Sequence, residues 1–111
     1  MRDYRPYIPQ SIGELLDQLA SMMLSKATFK DDTGYFPDMS IETEFVALNG
    51  GLDNLRNQIG EDHYIQLAAL SDQMRAHFEA DPQERTGEAR EARAIILQMR
   101  DLLTQLGQNE T

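Results

Sequence analysis

The residues best suited to chemistry in this chain are two histidines, and their spacing does not place them in one site. On a single helix, His63 and His77 would share a face but would lie about 21 Å apart. That distance is too great for both to ligate one metal ion, so we interpret each as a surface or boundary residue. The chain has no cysteine, which excludes a thiolate metal site, a cysteine nucleophile and an internal disulfide.

Motifs typical of enzymes are missing from the sequence as well. A di-iron bundle needs Glu-x-x-His pairs on two helices, and the sequence has none. The glycine cluster Asn49-Gly50-Gly51 lacks the lysine and the preceding strand of a phosphate-binding loop. We therefore predict no catalytic residue, no cofactor and no metal site, and we expect a protein that is not an enzyme. An enzyme that uses scattered carboxylates is the least favoured alternative.

Negative charge is concentrated in the stretch from Asp31 to Asp62. The chain carries 19 acidic and 10 basic residues, a formal net charge of −9, and this stretch holds eight of the acids and one base. Aromatic and apolar residues also lie there, in a predicted loop. Apolar anchors inside a charged rim are typical of protein-binding hot spots. We therefore predict a partner-binding site formed by Asp31, Asp32, Tyr35, Phe36, Asp38, Met39, Glu42 and Glu44.

The charge balance indicates what kind of partner this site would bind. An acidic protein is repelled by phosphate backbones, so we expect no direct contact with nucleic acid. It attracts a basic protein, with an association rate that falls as salt rises. The favoured hypothesis is an inhibitor or immunity-type protein that docks on a basic surface of a toxin or a nucleic-acid enzyme.

The apolar residues allow two further interpretations, and the first is an alternative to this hypothesis. The near-heptad apolar stripes of the predicted helices two and four could form a homodimer interface, as in a structural or adaptor protein or a small subunit. Separately, Tyr35, Phe36 and Met39 could fold back onto the protein as a lid, which is compatible with either function.

The elements that position these residues are predicted to be helices. Apolar residues recur at steps of three and four along four segments of the 111-residue chain, the spacing of one helical face. This pattern predicts an all-α, compact bundle of about four helices in one domain over residues 11–107. Prolines predict an extended N-terminal arm over 1–10, and 108–111 is a polar tail. No apolar run is long enough to span a membrane and no secretory signal is present, so we expect a cytoplasmic protein.

The first two helices have clear start signals and a long loop between them. Ser11 and Glu14 match a capping box at the start of helix one, and Ser40 caps helix two. The loop spans 27–39, and a short strand at 28–29 or 35–36 stays open. Helix two is predicted to run to Ile59, because its apolar stripe keeps its phase through Gly50-Gly51. The glycines would let another backbone come close; two helices joined by a turn at the glycines are the alternative.

The last two helices are bounded by glycine, proline and threonine. Helix three follows Gly60 and stops before Asp81-Pro82, because the residue before a proline disfavours helical angles. Thr86 is predicted to cap helix four, and Gly107 to end it. The arginines of this last quarter alternate with acidic residues, which favours a salt-bridged, solvated face over a nucleic-acid patch: Arg85, Arg90, Arg93 and Arg100.

Overall fold

The computed structural model describes residues 6–30 and 39–108, and every regular element in these two ranges is a helix. The helices are α1 (Ile12–Leu24), α2 (Ile41–Asn54), α3 (Arg56–Ile59), α4 (Glu61–Ala80) and α5 (Glu88–Gln108). The prediction of an all-α bundle is therefore confirmed. At the possible strand 28–29 the chain forms a turn, in which the N–H of Phe29 donates to the carbonyl of Lys26 at 2.9 Å. The other possible strand, 35–36, lies outside the described residues.

The four long helices form a closed ring in which neighbours run antiparallel. α1 packs against α2 and α5, and α4 packs against the same two helices. A Cβ on Gly107, near the end of α5, would lie 3.6 Å from Ile12 at the start of α1. Between α2 and α4, the Ser71 hydroxyl donates to Asn49 Oδ1 at 2.7 Å. No helix in the described part of the chain combines the length and the apolar character needed to cross a membrane.

The apolar stripes meet in one core, as their spacing predicts. Three phenylalanines from different segments join there: Phe29 contacts Phe45 and Phe78 edge-to-face, with ring centroids 6.2 and 5.0 Å apart. Phe29 has a φ of 58°, a left-handed conformation that bulky residues seldom adopt. Contact with the other two rings holds it there. Other large, fully buried side chains in the core are Leu15, Leu19, Met22, Leu48, Leu52, Leu67, Met74, Ile96, Met99 and Leu103.

Helix two passes through its glycines, as predicted, but ends earlier than predicted. α2 continues through Gly50-Gly51 to Asn54, and it packs against both α1 and α4. Leu55 then takes φ −104° and ψ 9°, outside the helical range, and the four-residue α3 follows. The prediction of a single helix that runs to Ile59 is therefore wrong, and so is the alternative of two helices joined by a turn at the glycines. The interruption at Leu55 leaves both Leu55 and Ile59 buried, at 5% and 3% exposure.

The turn between α4 and α5 is organised by Asp81 rather than by the predicted cap, Thr86. Asp81 is buried, and its carboxylate accepts from the backbone N–H groups of Arg85, Thr86 and Ala89 at 2.6, 3.1 and 3.2 Å. Thr86 accepts one longer bond, 3.4 Å from the N–H of Glu88. Burial acts to raise the pKa of Asp81, but the backbone donors outweigh it and leave that pKa below its ordinary value of 3.8.

The arginines of the last quarter form a less extensive salt-bridged face than predicted. Arg93 pairs with Glu84 at 2.6 Å and also donates to the carbonyl of Ser25 at 3.0 Å. The Arg93 bond lowers the pKa of Glu84, whose carboxylate also accepts from the N–H of Ala27 at 3.3 Å. Glu84 thus ties the α4–α5 turn to the segment that follows α1.

Candidate functional site

The structure describes three of the eight residues predicted to bind a partner. Met39 is half-buried ahead of α2, Glu42 is exposed in the first turn of α2, and Glu44 is buried, with 6% exposure. Residues two apart on a helix do not face each other, so Glu42 and Glu44 serve different surfaces. The other five predicted residues lie outside the described residues: Asp31, Asp32, Tyr35, Phe36 and Asp38.

Glu44 faces α1 and marks the position of a groove. The amide nitrogen of Gln18 lies 3.5 Å from both the backbone oxygen and the Oε1 of Glu44. The Thr43 hydroxyl lies 3.4 Å from Glu44 Oε2. These contacts turn the carboxylate away from bulk solvent and towards the space between α1 and the chain that precedes it.

That space is a cavity of about 400 Å³, and we call it the acidic groove. Residues 6–10, the described part of the predicted N-terminal arm, are called the arm. The groove lies between the arm and α1, and Glu44 of α2 also lines it. Among the described residues, no lysine, arginine or histidine lines it. The side chains that line it include Tyr7, Pro9, Glu14, Asp17, Gln18 and Glu44.

Glu14 joins the arm to α1. Its Oε1 accepts from the backbone N–H of Gln10 at 2.7 Å and from the hydroxyl of Tyr7 at 2.8 Å. The predicted capping box is therefore half formed: Ser11 Oγ accepts from the N–H of Glu14 at 3.1 Å, but Glu14 bonds the arm rather than Ser11. The hydrogen bond to Glu14 raises the pKa of Tyr7 above its ordinary value of 10.0. Tyr7 is nonetheless 64% exposed, so its ring remains open to a ligand.

The electrostatics of the acidic groove favour a cation. Glu14, Asp17 and Glu44 surround one cavity, and within the described residues neither Glu14 nor Asp17 forms an ion pair with a basic side chain. Carboxylates held around one cavity create a local negative potential that draws in positive groups. An arginine entering it could form two parallel hydrogen bonds to a carboxylate and stack on an aromatic ring.

Tyr7, Glu14 and Asp17 are not among the residues predicted from the sequence to bind a partner. The sequence pattern predicted only a helix-capping role for Glu14. A usable signal was present, because the polar groove residues of α1 recur at the spacing of one helical face: Glu14, Asp17, Gln18 and Ser21. That spacing shows a polar stripe beside the apolar one, but not that the arm would lie across it.

The histidines lie apart from this groove. His77 Nδ1 contacts Glu88 Oε2 at 2.5 Å, linking α4 to α5, and His63 is exposed near the start of α4. Among the residues that the structure describes, no group of three histidine or carboxylate side chains could hold a metal ion. Comparisons of the chain with protein-family models, curated proteins and solved structures find no match.

Proposed function

We propose that this chain is a cytoplasmic binding module that docks on a basic surface of a partner protein through the acidic groove. Its role would be that of an inhibitor or immunity-type protein, with a toxin or a nucleic-acid enzyme as partner. The observation that carries the proposal is the groove itself: an exposed aromatic ring and three carboxylates around one cavity, with no basic residue among the described residues that line it.

The wider charge distribution supports the same proposal. α1 and α2 together carry five acidic residues and no basic residue, whereas α5 carries three of each. A basic partner would therefore be attracted to the α1–α2 side and oriented before contact. At the groove, a lysine or arginine side chain would lay its aliphatic stem along Tyr7 and Pro9 and place its charge near Asp17 and Glu44.

A charge reversal inside the groove, matched by one outside it, tests the proposal. We expect an arginine-rich peptide to bind the wild-type chain, and Asp17→Lys to weaken that binding by about tenfold or more, which corresponds to about 1.4 kcal/mol. Glu91→Lys makes the same charge change on an exposed position of α5, outside the groove. Fluorescence anisotropy of a labelled peptide would measure both affinities.

The two variants separate a groove from a general charge effect. If Glu91→Lys weakens the peptide as much as Asp17→Lys does, net charge alone explains binding and the groove has no special role. A wild-type chain that binds no basic peptide at low salt would refute the proposal altogether. Circular dichroism of both variants checks that the helices are intact.

A second candidate function, a homo-oligomeric structural or adaptor protein, is favoured by a different observation. Four large apolar side chains on different helices are exposed: Leu24 at 89%, Ile65 at 57%, Val46 at 52% and Leu97 at 49%. Such residues could pack against another copy of the chain. Light scattering over a range of concentrations tests this candidate, and a monomer at every concentration would exclude it.

A further inference from the structure

The two helical glycines of α2 lie directly beneath the arm. A Cβ on Gly51 would approach Pro9 Cβ to 2.9 Å and Leu15 Cδ2 to 2.7 Å. A Cβ on Gly50 would approach Ile8 Cγ2 to 3.0 Å, and the three nearest atoms to that position all belong to Ile8. Glycine is a poor helix former, so two in succession within α2 call for a packing reason. The contacts with the arm supply one.

Polar contacts fix the arm in the same place. Asn54 of α2 donates from Nδ2 to the carbonyl of Pro9 at 3.4 Å. On the other side, Glu14 of α1 accepts from Gln10 and Tyr7. Pro9 is buried and Ile8 is half-buried. The arm is thus held against both helices, and in this position it lines the acidic groove.

We infer that Gly50 is a positioning residue for the acidic groove. Because Gly50 has no side chain, Ile8 can pack against α2 and hold the arm in its docked position, and the binding site is complete only when the arm is docked. The inference rests on the proposed function, because it assigns the arm a part in binding. A ligand in the groove contacts the arm and α1 together, so ligand binding and docking of the arm favour each other by the same factor. The arm is therefore a conformational control on the site.

Gly50→Leu tests this inference, with Gly13→Leu as its matched control. At Gly50 the new side chain must displace Ile8, whereas a Cβ on Gly13 meets only Ser11 Oγ, at 3.8 Å. Docking of the arm is read from hydrogen exchange of the Gln10 amide, whose N–H donates to Glu14 Oε1 in the docked position. We expect Gly50→Leu to speed that exchange by about tenfold or more and to weaken the arginine-rich peptide by a similar factor.

The control and a second variant keep the result decisive. Gly13→Leu should leave both the Gln10 exchange and the peptide affinity within about twofold of wild type. Ile8→Ala removes the same contact from the arm and leaves α2 unchanged, so it should reproduce both effects of Gly50→Leu even if that variant loses helix content.

Each outcome bears on a stated part of the inference. If Gln10 stays protected in Gly50→Leu and in Ile8→Ala, Gly50 does not position the arm. If protection is lost while peptide affinity is unchanged, the arm is not part of the site, and the inference is wrong although the proposed function stands. If the wild-type chain binds no basic peptide, the proposed function fails, and so does the claim that the arm forms part of a binding site. The exchange data would still decide whether Gly50 positions the arm.

Discussion

The α1–α2 side of the molecule and the α4–α5 turn use carboxylates in opposite ways. At the turn, Asp81 is buried and satisfied by three backbone N–H groups, and Glu84 is paired with Arg93. In the groove, Asp17 is exposed and has no ion pair among the described residues. The carboxylates of the turn are therefore committed to the fold, whereas Asp17 is available to a partner.

This contrast shows why net charge is a poor guide to where an acidic protein binds. α5 has as many basic as acidic residues, so its surface has little net attraction for a cation. A cavity beside its first turn is lined by Arg85, Arg90 and Arg93, yet Asp81 already occupies the backbone donors there. The groove lies on the other side of the bundle, where α1 and α2 carry acidic residues and no basic ones.

The largest effect on stability is expected from removing the Asp81 carboxylate at the α4–α5 turn. Asp81→Ala leaves three backbone N–H groups without their acceptor, so the melting temperature should fall by about 5–10 °C. Asp17→Ala removes an exposed carboxylate and should change the melting temperature by less than about 2 °C. Thermal unfolding followed by circular dichroism measures both, and equal shifts would show that the two regions do not differ.

Salt should separate the two regions by their effects on binding and folding. Affinity for an arginine-rich peptide should fall by about tenfold between 50 and 200 mM salt, because exposed charges are screened over the Debye length. The melting temperature should change by less than about 3 °C, since the Asp81 bonds are buried and local. A peptide affinity that ignores salt would contradict electrostatic binding in the groove.

Acid is expected to remove the stabilisation that Asp81 gives to the turn. The folded-state pKa of Asp81 lies below the ordinary value of 3.8, so its contribution to stability is complete above that pH and is lost as the pH falls through the folded pKa. The difference in melting temperature between wild type and Asp81→Ala should therefore shrink between about pH 6 and about pH 2.5. A difference that stays constant would show that the Asp81 charge does not stabilise the turn.

The smallest effect is expected for the exposed ion pair of Arg56 and Glu61. Their side chains are 48% and 55% exposed, and solvent screens such pairs. The bond lowers the pKa of Glu61 and raises that of Arg56. Arg56→Gln should nevertheless shift the melting temperature by less than about 2 °C. A larger loss would mean that this pair holds α3 in place.

The helices could be predicted from the sequence because each has a local signature. The apolar stripes gave their inward faces, and Ser40 caps α2 as predicted, in a capping box with Thr43. The cap of α5 was missed because Asp81 reaches it across a turn in which Glu84 takes a positive φ of 56°. Such a turn has no simple sequence pattern.

The candidate site was harder to predict because its walls are distant in the sequence. The glycines at Gly50-Gly51 indicated that something packs closely on α2, but not that it would be the arm. Contact between Ile8 and Gly50 joins segments some forty residues apart, and no local pattern encodes it. Of the predicted site residues, Glu44 lines the groove, whereas Met39 and Glu42 do not.

Because the acidic groove is assembled from the arm, α1 and α2, it exists only while these three segments are folded together. A molecule that occupies it binds the folded chain alone, and at about one hundred times its Kd it adds about 2.7 kcal/mol to the free energy of unfolding. For a domain of this size, that raises the melting temperature by roughly 10 °C. Melting curves recorded with a collection of short basic peptides would thus reveal the preferred ligand sequence without a label.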